Sequence, residues 1–499
     1  MKRNISVAIL MALSFVLHAQ SAEDALLFSD QTYMGTARSQ AMGNAFGALG
    51  SDVTAVHINP AGLGVYRTFN MSATAGLGMR EMTAYYQGDK TMDIAGNFNL
   101  TSFGLISPAK RNPDGDWRRV NYAFTYNKKN IFKSSTDVRG YNDNTSLVDV
   151  FLDYATGSSM HDLNDFCEGG AFWVDLIDLS VDTAGEWIDN GEYFREVSAG
   201  QNQRKVMTTS GSMGEYQFSY AGSYKEKLYI GASLGLSTIE YLKETYYEEG
   251  GFTDTTSTVQ SFYMLDDLYT SGAGINLKIG GILRVNDQLR LGLSWHSPTL
   301  YNMQDEWQMK MDAQHELNDS AYSYSYTSPY GMYNYELITP MKITTSAALI
   351  LNKKLVLSGD VEFVDYTTMS MNGNDRDYFD GVNNEIANGF TSTYNTRFGA
   401  ELNLAPIVLR AGYAKYGNPL NLNNSPLPES IYQDYEVHRS ERQTWSVGVG
   451  KRNQYSYIDF AYSFTENSQT DLMYNANYVE STKLTNSYQK VMVTLGWKF

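Results

Sequence analysis

Histidine, cysteine and serine side chains are the usual carriers of catalysis and metal binding, and in this chain of 499 residues they form no recognisable motif. Metal and haem ligands usually recur at short spacings, whereas the histidines beyond the first twenty residues are scattered: they are His57, His161, His296, His315 and His438. Cys167 is the only cysteine, which excludes an intrachain disulfide and a multi-cysteine metal site. No serine, histidine and carboxylate form the pattern of a hydrolase. The sequence therefore predicts a protein that is not an enzyme and holds no cofactor.

Two arginines stand on the polar face of segments in which apolar and polar residues alternate. Arg290 and Arg410 are each flanked on both sides by an apolar residue. A guanidinium on an interior polar face can bind the carboxylate of a ligand, so both arginines are candidate ligand-binding residues. They can instead pair with nearby carboxylates such as Asp360 and Glu362, and the sequence leaves both alternatives open.

A long connection at residues 128–212 carries aromatic residues suited to an apolar ligand. Apolar residues recur at helical spacing around Phe151 and again from Phe172 to Leu179, which predicts two short amphipathic helices. Phe151, Phe172 and the neighbouring Trp173 are therefore candidate contacts for a hydrophobic ligand. The alternative is that these apolar faces pack only against one another, as a lid.

The elements that must position these residues are β-strands. At the carboxyl end, large apolar residues at odd positions from Val491 to Phe499 alternate with residues that are polar, small or thin, and the last residue is aromatic. Similar segments recur in pairs joined by very short turns and separated by longer connections. The fourteen segments lie near residues 69–79, 98–106, 117–126, 216–223, 228–236, 275–279, 289–295, 343–351, 355–363, 398–404, 407–413, 443–450, 455–464 and 491–499.

Regular alternation between six short turns and seven longer connections is typical of an outer-membrane β-barrel. A soluble sandwich or propeller does not predict that alternation. The mean hydropathy of −0.37 agrees with a barrel, because its strands alternate lipid-facing with lumen-facing residues. The predicted fold is all-β, a fourteen-stranded antiparallel transmembrane β-barrel. A formal net charge of −17 disfavours nucleic-acid binding.

The first residues have the form of a secretory signal peptide. Lys2 and Arg3 precede a mostly apolar stretch from Ile5 to Leu17, and small or polar residues follow. The sequence therefore predicts a signal peptide at residues 1–21, cut near residues 20 to 22. The barrel is expected at residues 66–499 and includes the partly helical extracellular connection at 128–212.

The segment between residues 35 and 63 is rich in glycine and alanine and hardly alternates, so it does not look like barrel wall. Small residues let backbone pack close to backbone, and the Asn59-Pro60 pair favours a local turn. Three parts of it, Ala41 to Ala45, Asp52 and Asn59 to Ala61, resemble the amino-terminal hatch of the FadL-type family of long-chain fatty acid and aromatic hydrocarbon channels. Together with the fourteen strands and the terminal Phe499, the resemblance covers essentially the whole mature chain.

This resemblance implies a barrel plugged from inside by residues 22–65, with Asn59, Pro60 and Ala61 in the plug or gate. It implies uptake of a hydrophobic small molecule that is captured among extracellular loops and passed into the lumen. In the family, movement of the hatch opens a path, and a kinked wall strand can release cargo sideways into the membrane. The much longer connection at 128–212 departs from the better-known members and leaves the substrate open.

The location and partners follow from the same interpretation. The protein is expected in the outer membrane of a gram-negative bacterium, in contact with its lipid. The carboxyl-terminal strand ending at Phe499 is expected to engage the barrel-assembly machinery.

Two other functions remain open at this point. Some related chains are described as hemin receptors, and a haem receptor would need an axial histidine or tyrosine; a shift of the Soret band on titration with haem would test it. A structural or adhesive barrel is the other alternative, although a scaffold has little use for a plug.

Overall fold

A computed structural model of the chain describes residues 20–112, 114–421, 441–474, 478–479 and 481–499. The predicted signal peptide, apart from its last two residues, and His438 lie outside the described residues. Nearly all the strands belong to one closed antiparallel sheet, in which the first strand pairs with the last, from Asn70 opposite Lys498 to Tyr85 opposite Lys483.

The strands of the first half of the chain are β1 (Asn70–Tyr86), β2 (Asp89–Arg111), β3 (Trp117–Ile131), β4 (Ser134–Asn142), β5 (Ile177–Leu179), β6 (Tyr193–Arg195), β7 (Gln201–Tyr224), β8 (Leu228–Gly250) and β9 (Val259–Arg284). The second half contributes β10 (Leu289–His296), β11 (Leu300–Leu317), β12 (Ser320–Thr327), β13 (Gly331–Ile338), β14 (Lys342–Leu351), β15 (Leu355–Asp365), β16 (Ser370–Asn372), β17 (Ser392–Leu404), β18 (Ile407–Tyr416), β19 (Arg442–Arg452), β20 (Ser456–Leu472) and β21 (Ser481–Lys498).

The helices are short. They are α1 (Ala22–Ser29), α2 (Ala37–Ala41), α3 (Val53–Ile58), α4 (Leu147–Ala155), α5 (Glu168–Trp173) and α6 (Arg376–Gly389), with 3-10 turns η1 (Pro60–Val65) and η2 (Tyr366–Thr368). No helix among the described residues is long and apolar enough to cross a membrane.

The wall consists of fourteen strands, as the sequence predicted. Four of them are each made of two pieces in line, namely β3 with β4, β10 with β11, β13 with β14, and β15 with β16. Two of these breaks occur at prolines, which cannot donate a ladder hydrogen bond: Pro298 lies opposite Pro340 between the pairs His296 with Lys342 and Leu300 with Ile338. The remaining sheet strand, β12, lies beside the top of β11.

The outer surface of the wall carries an apolar band. Along β8, for example, Ile230, Leu234 and Leu236 are exposed, while residues 229, 231, 233 and 235 on the other face are buried in the barrel. The band ends at exposed Glu240, although β8 continues to Gly250. Aromatic pairs such as Trp445 with Phe464 lie on the same outer face, as expected at a membrane interface. The strands therefore extend well beyond the membrane on the side away from the short turns.

The amino-terminal segment Ala22–Val65, hereafter the hatch, lies inside the barrel. From Tyr33 to Gly64 all its residues are buried except Arg38, which is partly exposed, and Ser51, which is exposed. Its apolar residues pack against small wall residues, for instance Val53, Val56 and Leu63 against Ala123 and Ala221.

The connection above β3 and β4 forms a cap with its own hydrophobic core. Helix α4 matches the first predicted amphipathic helix. The second prediction is wrong in its latter half, because helix α5 ends at Trp173 and Ile177–Leu179 is strand β5, paired with β6. In a strand the apolar residues 177 and 179 share one face, so the spacing there also fits a strand. The ends of the predicted connection at 128–212 also belong to β3, β4 and β7.

Candidate functional site

The hatch is held in place by close contacts with wall glycines. The Asn59 side chain donates from Nδ2 to the carbonyl oxygen of Gly47 at 2.7 Å and to that of wall residue Gly281 at 3.2 Å, and its Oδ1 accepts from the Ala61 amide at 3.1 Å. Pro60 begins η1, and a Cβ at wall residue Gly231 would lie 2.5 Å from the Pro60 carbonyl carbon. Small wall residues are therefore necessary where the backbone of Asn59, Pro60 and Ala61 meets the barrel.

A buried charged cluster joins the hatch to three wall strands. Glu215 is fully buried and pairs with Lys129 at 2.7 Å, with Lys278, and with His57 Nδ1 of hatch helix α3 at 3.3 Å. The other nitrogen of the His57 ring lies 2.9 Å from the hydroxyl of Thr125. Sequence analysis did not identify this cluster, because its members come from four separate parts of the chain.

We predict that Glu215→Gln destabilises the folded barrel by about 3 kcal/mol, because two buried lysines lose their carboxylate partner. The measurement is urea unfolding in detergent, followed by the heat-dependent shift of the folded band on a gel. Glu240→Gln is the matched control, since Glu240 is exposed on the outer face of β8 and its loss is expected to change stability by less than about 0.5 kcal/mol. Equal midpoints for the two variants would contradict the prediction.

A cavity of about 350 Å³ lies between the hatch and the inner face of the wall. Its apolar side is formed by Leu26 and Leu27 of α1, by Met34, and by wall residues that include Met82 and Phe132. Methionine side chains adapt to irregular shapes, so such a lining can accept flexible apolar ligands. This cavity is the candidate functional site.

The polar side of the cavity carries three cations. Arg442 pairs with Asp30 of the hatch at 3.0 Å. Lys490 donates to the sulfur of Met34 at 3.3 Å and to Oε1 of Gln40 at 3.2 Å, and it lies 5.7 Å from the ring centre of Tyr488. Arg80 lies over the ring of Tyr488 and donates to the carbonyl oxygen of Ile131 at 3.3 Å.

Arg80 and Lys490 therefore have no carboxylate partner among the described residues. The Nε atom of Arg80 is moreover buried without any hydrogen-bond partner. Both side chains project from adjoining strands, because Arg80 of β1 lies opposite Tyr488 of β21. Buried cations normally have anionic partners, so this arrangement is suited to hold the anionic group of a ligand.

The wall beside this cavity has a gap that the hatch fills. The ladder between β2 and β3 ends at Ser102 opposite Asn127, although both strands continue towards the cap. Beyond that point the carbonyl oxygens of Lys128 and Lys129 accept hydrogen bonds from the amides of Met34 and Thr32, at 3.0 and 3.2 Å. On the other side of the gap the Thr101 hydroxyl donates to the carbonyl oxygen of Gly35 at 3.1 Å. Hydrogen bonds to hatch segment 32–35 therefore replace the direct hydrogen bonds between β2 and β3 at this level of the wall.

The arginines singled out from the sequence lie in the lower part of the barrel and do not line the cavity. Arg410 pairs with Glu401 at 2.7 Å and with Asp459 at 2.8 Å. Arg290 donates to the carbonyl oxygen of hatch residue Leu49 at 2.9 Å. Both side chains thus contact wall carboxylates or hatch backbone within the chain itself.

The aromatic residues singled out in the long connection lie in the cap. Phe151 and Phe172 are buried in its core. Trp173 is exposed and stacks edge to face with Phe172 and with Trp187, which is also exposed. None of these four residues lines the cavity between hatch and wall. The apolar faces of α4 and α5 are buried within the cap, which is the arrangement expected if these helices form a lid.

The described histidines lie outside the lining of this cavity. No histidine lines the cavity, and His296 and His315 each contact a backbone carbonyl oxygen, at 2.9 and 3.0 Å. Within the described parts of the chain, no three histidine, cysteine or acidic side chains are grouped so that they could hold a metal ion.

Comparisons with known proteins identify the fold. No family model matches the chain, and no curated protein matches its sequence. Among solved structures, a Pseudomonas aeruginosa FadL homologue is similar with a TM-score of 0.57, at 11% identity over 94% of this chain and 98% of that one. The Pseudomonas putida toluene transporter TodX gives a TM-score of 0.52, at 12% identity over 93% and 98%. The chain therefore has the fold of FadL-type barrels, as the sequence predicted.

Proposed function

We propose that the chain is a channel in the outer membrane of a gram-negative bacterium, and that it takes up hydrophobic small molecules. The observation that carries this proposal is a partly apolar cavity enclosed between a buried hatch and a barrel wall with an apolar outer band. Proteins of the same fold include one named as a toluene transporter. An apolar solute crosses the polar surface layer slowly, and a cavity that removes its surface from water gives reversible affinity at roughly 25 cal/mol per Å².

The cargo class is inferred to be an apolar compound with one anionic group, such as a fatty acid. The argument rests on Arg80 and Lys490, which face the cavity without a carboxylate partner among the described residues. A neutral aromatic hydrocarbon would leave both cations without an anionic partner, which is costly for charges held away from bulk water. A carboxylate between them would satisfy both and place its chain against Leu26, Leu27 and Met82.

Release is inferred to be sideways, through the gap between β2 and β3. The gap adjoins the cavity, because Arg80, Asn130 and Ile131 line the cavity and Asn130 and Ile131 end β3. Hatch segment 32–35 fills the gap with a few hydrogen bonds rather than with a continuous ladder. A small displacement of this segment would connect the cavity with the lipid phase.

We propose that the barrel-assembly machinery recognises the last strand, β21. Strand β21 closes the barrel against β1, and Phe499 at its end is largely exposed. An exposed aromatic residue at the end of the last strand is available for recognition before the seam closes.

We predict that the double variant Arg80→Met, Lys490→Met lowers the affinity for a long-chain fatty acid about tenfold or more, since charge-assisted hydrogen bonds contribute about 1.5 to 3 kcal/mol. The measurement is equilibrium binding of a fluorescent fatty acid to the purified barrel in detergent, together with uptake by cells. Toluene serves as the neutral comparison and is expected to be unaffected.

The control variant is Arg139→Met, Lys310→Met, which removes two exposed cations outside the cavity. It is expected to leave fatty acid binding unchanged. Equal losses in both double variants would refute an anion site in the cavity. Equal uptake of fatty acids and aromatic compounds by cells with and without the gene would refute the channel itself.

A further inference from the structure

The short-turn end of the barrel carries a ring of positive charge, although the protein as a whole is acidic. Among the described side chains, the at least partly exposed cations of this rim include Arg67, Arg118, Arg119, Lys225, Lys227, Arg284, Lys353, Lys354, Lys451, Arg452 and Lys498. The exposed or partly exposed carboxylate side chains at the same turns, among the residues that the structure describes, are the four of Asp114, Asp116, Glu226 and Asp287. The whole chain has 55 acidic and 38 basic residues. The rim therefore has a charge opposite to that of the protein.

Most of the rim carboxylates are already used within the protein. Asp116 pairs with Lys225 at 3.4 Å, Glu226 with Arg119 at 2.9 Å, and Asp287 with Arg284 at 2.5 Å. Six exposed rim cations have no ion pair within the described residues: Arg67, Arg118, Lys227, Lys353, Lys354 and Lys451. They are spread over the start of β1 and over four of the six short turns. Unpaired charge thus surrounds the barrel instead of forming one patch.

The position of the ring relative to the apolar band is set by the turns. Lys227 is followed directly by Leu228, and the pair Lys353 and Lys354 lies between Leu351 and Leu355. Exposed aromatic residues lie at the same level, with Trp117 beside Arg118 and Tyr455 four residues after Lys451. Aromatic residues mark the interface of a membrane, and long cationic side chains reach from it to the headgroups. The cations are therefore at headgroup depth.

From this charge distribution we infer that the short-turn rim binds the headgroups of anionic phospholipids, such as phosphatidylglycerol, in the inner leaflet of the outer membrane. Several separate phosphates fit a ring of separate cations, and each cation near such a surface adds to the attraction. A soluble acidic protein fits less well, because the turns are too short to form a groove and the charges are distributed around the circumference. This inference depends on the barrel spanning a membrane, but not on the cargo.

The test is reconstitution of the full chain into phosphatidylcholine vesicles that contain the same mole fraction of either brominated phosphatidylglycerol or brominated phosphatidylcholine. Bromine quenches tryptophan fluorescence on contact, and Trp117 and Trp497 lie at the rim. We expect the apparent affinity for phosphatidylglycerol to exceed that for phosphatidylcholine about threefold or more at low salt. The preference should decline as salt is added, because ions screen exposed charges.

The variant that replaces the six unpaired rim cations by glutamine should bind the two lipids equally. A matched control replaces six cations at the opposite end, which changes the net charge by the same amount: Lys90, Arg139, Arg195, Arg204, Lys310 and Lys415. This control should retain the preference. Equal quenching by both lipids in the unaltered protein, or equal loss of preference in both variants, would overturn the inference. Such a result would leave the proposed uptake function untouched, since no transport is measured.

Discussion

Deleting hatch residues 23–60 is expected to raise the single-channel conductance of the barrel roughly tenfold or more, because a fourteen-stranded wall without its plug encloses a continuous water-filled space. The hatch residues from Tyr33 to Gly64 are almost all buried within the barrel. Polar wall groups now bonded to the hatch, such as Asp360 with the amides of Phe46 and Gly47, would be hydrated instead. The measurement is conductance in planar lipid bilayers.

Two checks separate an open pore from a barrel that has not folded. The deletion variant must still show the heat-dependent gel shift of a closed barrel. A milder variant, Asn59→Ala with Asp52→Ala, removes side chains that bond hatch elements without removing any backbone, and is expected to give brief openings at a lower frequency. Unchanged conductance in a folded deletion variant would mean that this segment does not plug the pore.

Tethering the hatch to the wall is expected to reduce uptake of fatty acid about tenfold or more in the channel proposed here, because the gap beside the cavity opens only if segment 32–35 moves. The ion pair between Asp30 and Arg442 links the hatch, two residues before that segment, to β19. Cysteines at both positions can be joined by a flexible bifunctional thiol reagent of matching length whose spacer contains a disulfide, so that reduction releases the link. Uptake is measured before joining, after joining and after reduction.

The chain offers good controls for this experiment. Burial raises the pKa of the Cys167 thiol in the cap, which keeps it unreactive, and Cys167→Ala removes it altogether. Joining cysteines in place of Arg119 and Glu226, which pair at the short-turn rim without involving the hatch, should leave uptake unchanged. If the joined hatch variant transports as well as its reduced form, the hatch does not need to move at this point.

The wall could be predicted from the sequence because its signal is local. Alternation within each strand, such as that from Val491 to Phe499, fixes which side chains meet lipid, and the turn lengths fix the order of the strands. Fourteen strands were inferred and fourteen are present. The extent of the strands was underestimated, since alternation of apolar with polar residues fades where β7 and β8 leave the membrane.

The cavity could not be predicted, because its members meet only through the closed wall and the returning hatch. Arg80 and Lys490 are more than 400 residues apart in the chain, and neither stands out from the other cations in sequence. The sequence places Arg410 on the polar face of its strand, but it also places Glu401 and Asp459 on the polar faces of theirs. In the structure Arg410 pairs with these two carboxylates and not with a ligand. Alternation indicates that a side chain points inward, but not what it meets there.

The seam between β1 and β21 also determines when the molecule can fold. Its partners, Asn70 and Lys498, are more than 400 residues apart in the chain, so the wall is not a ring until these two distant strands have met. Contacts between such distant residues have a large loop-closure cost and form slowly. The hatch precedes β1 in the chain and is buried inside the wall, so closure of the seam encloses it. Closure and plugging of the barrel are for that reason expected to coincide.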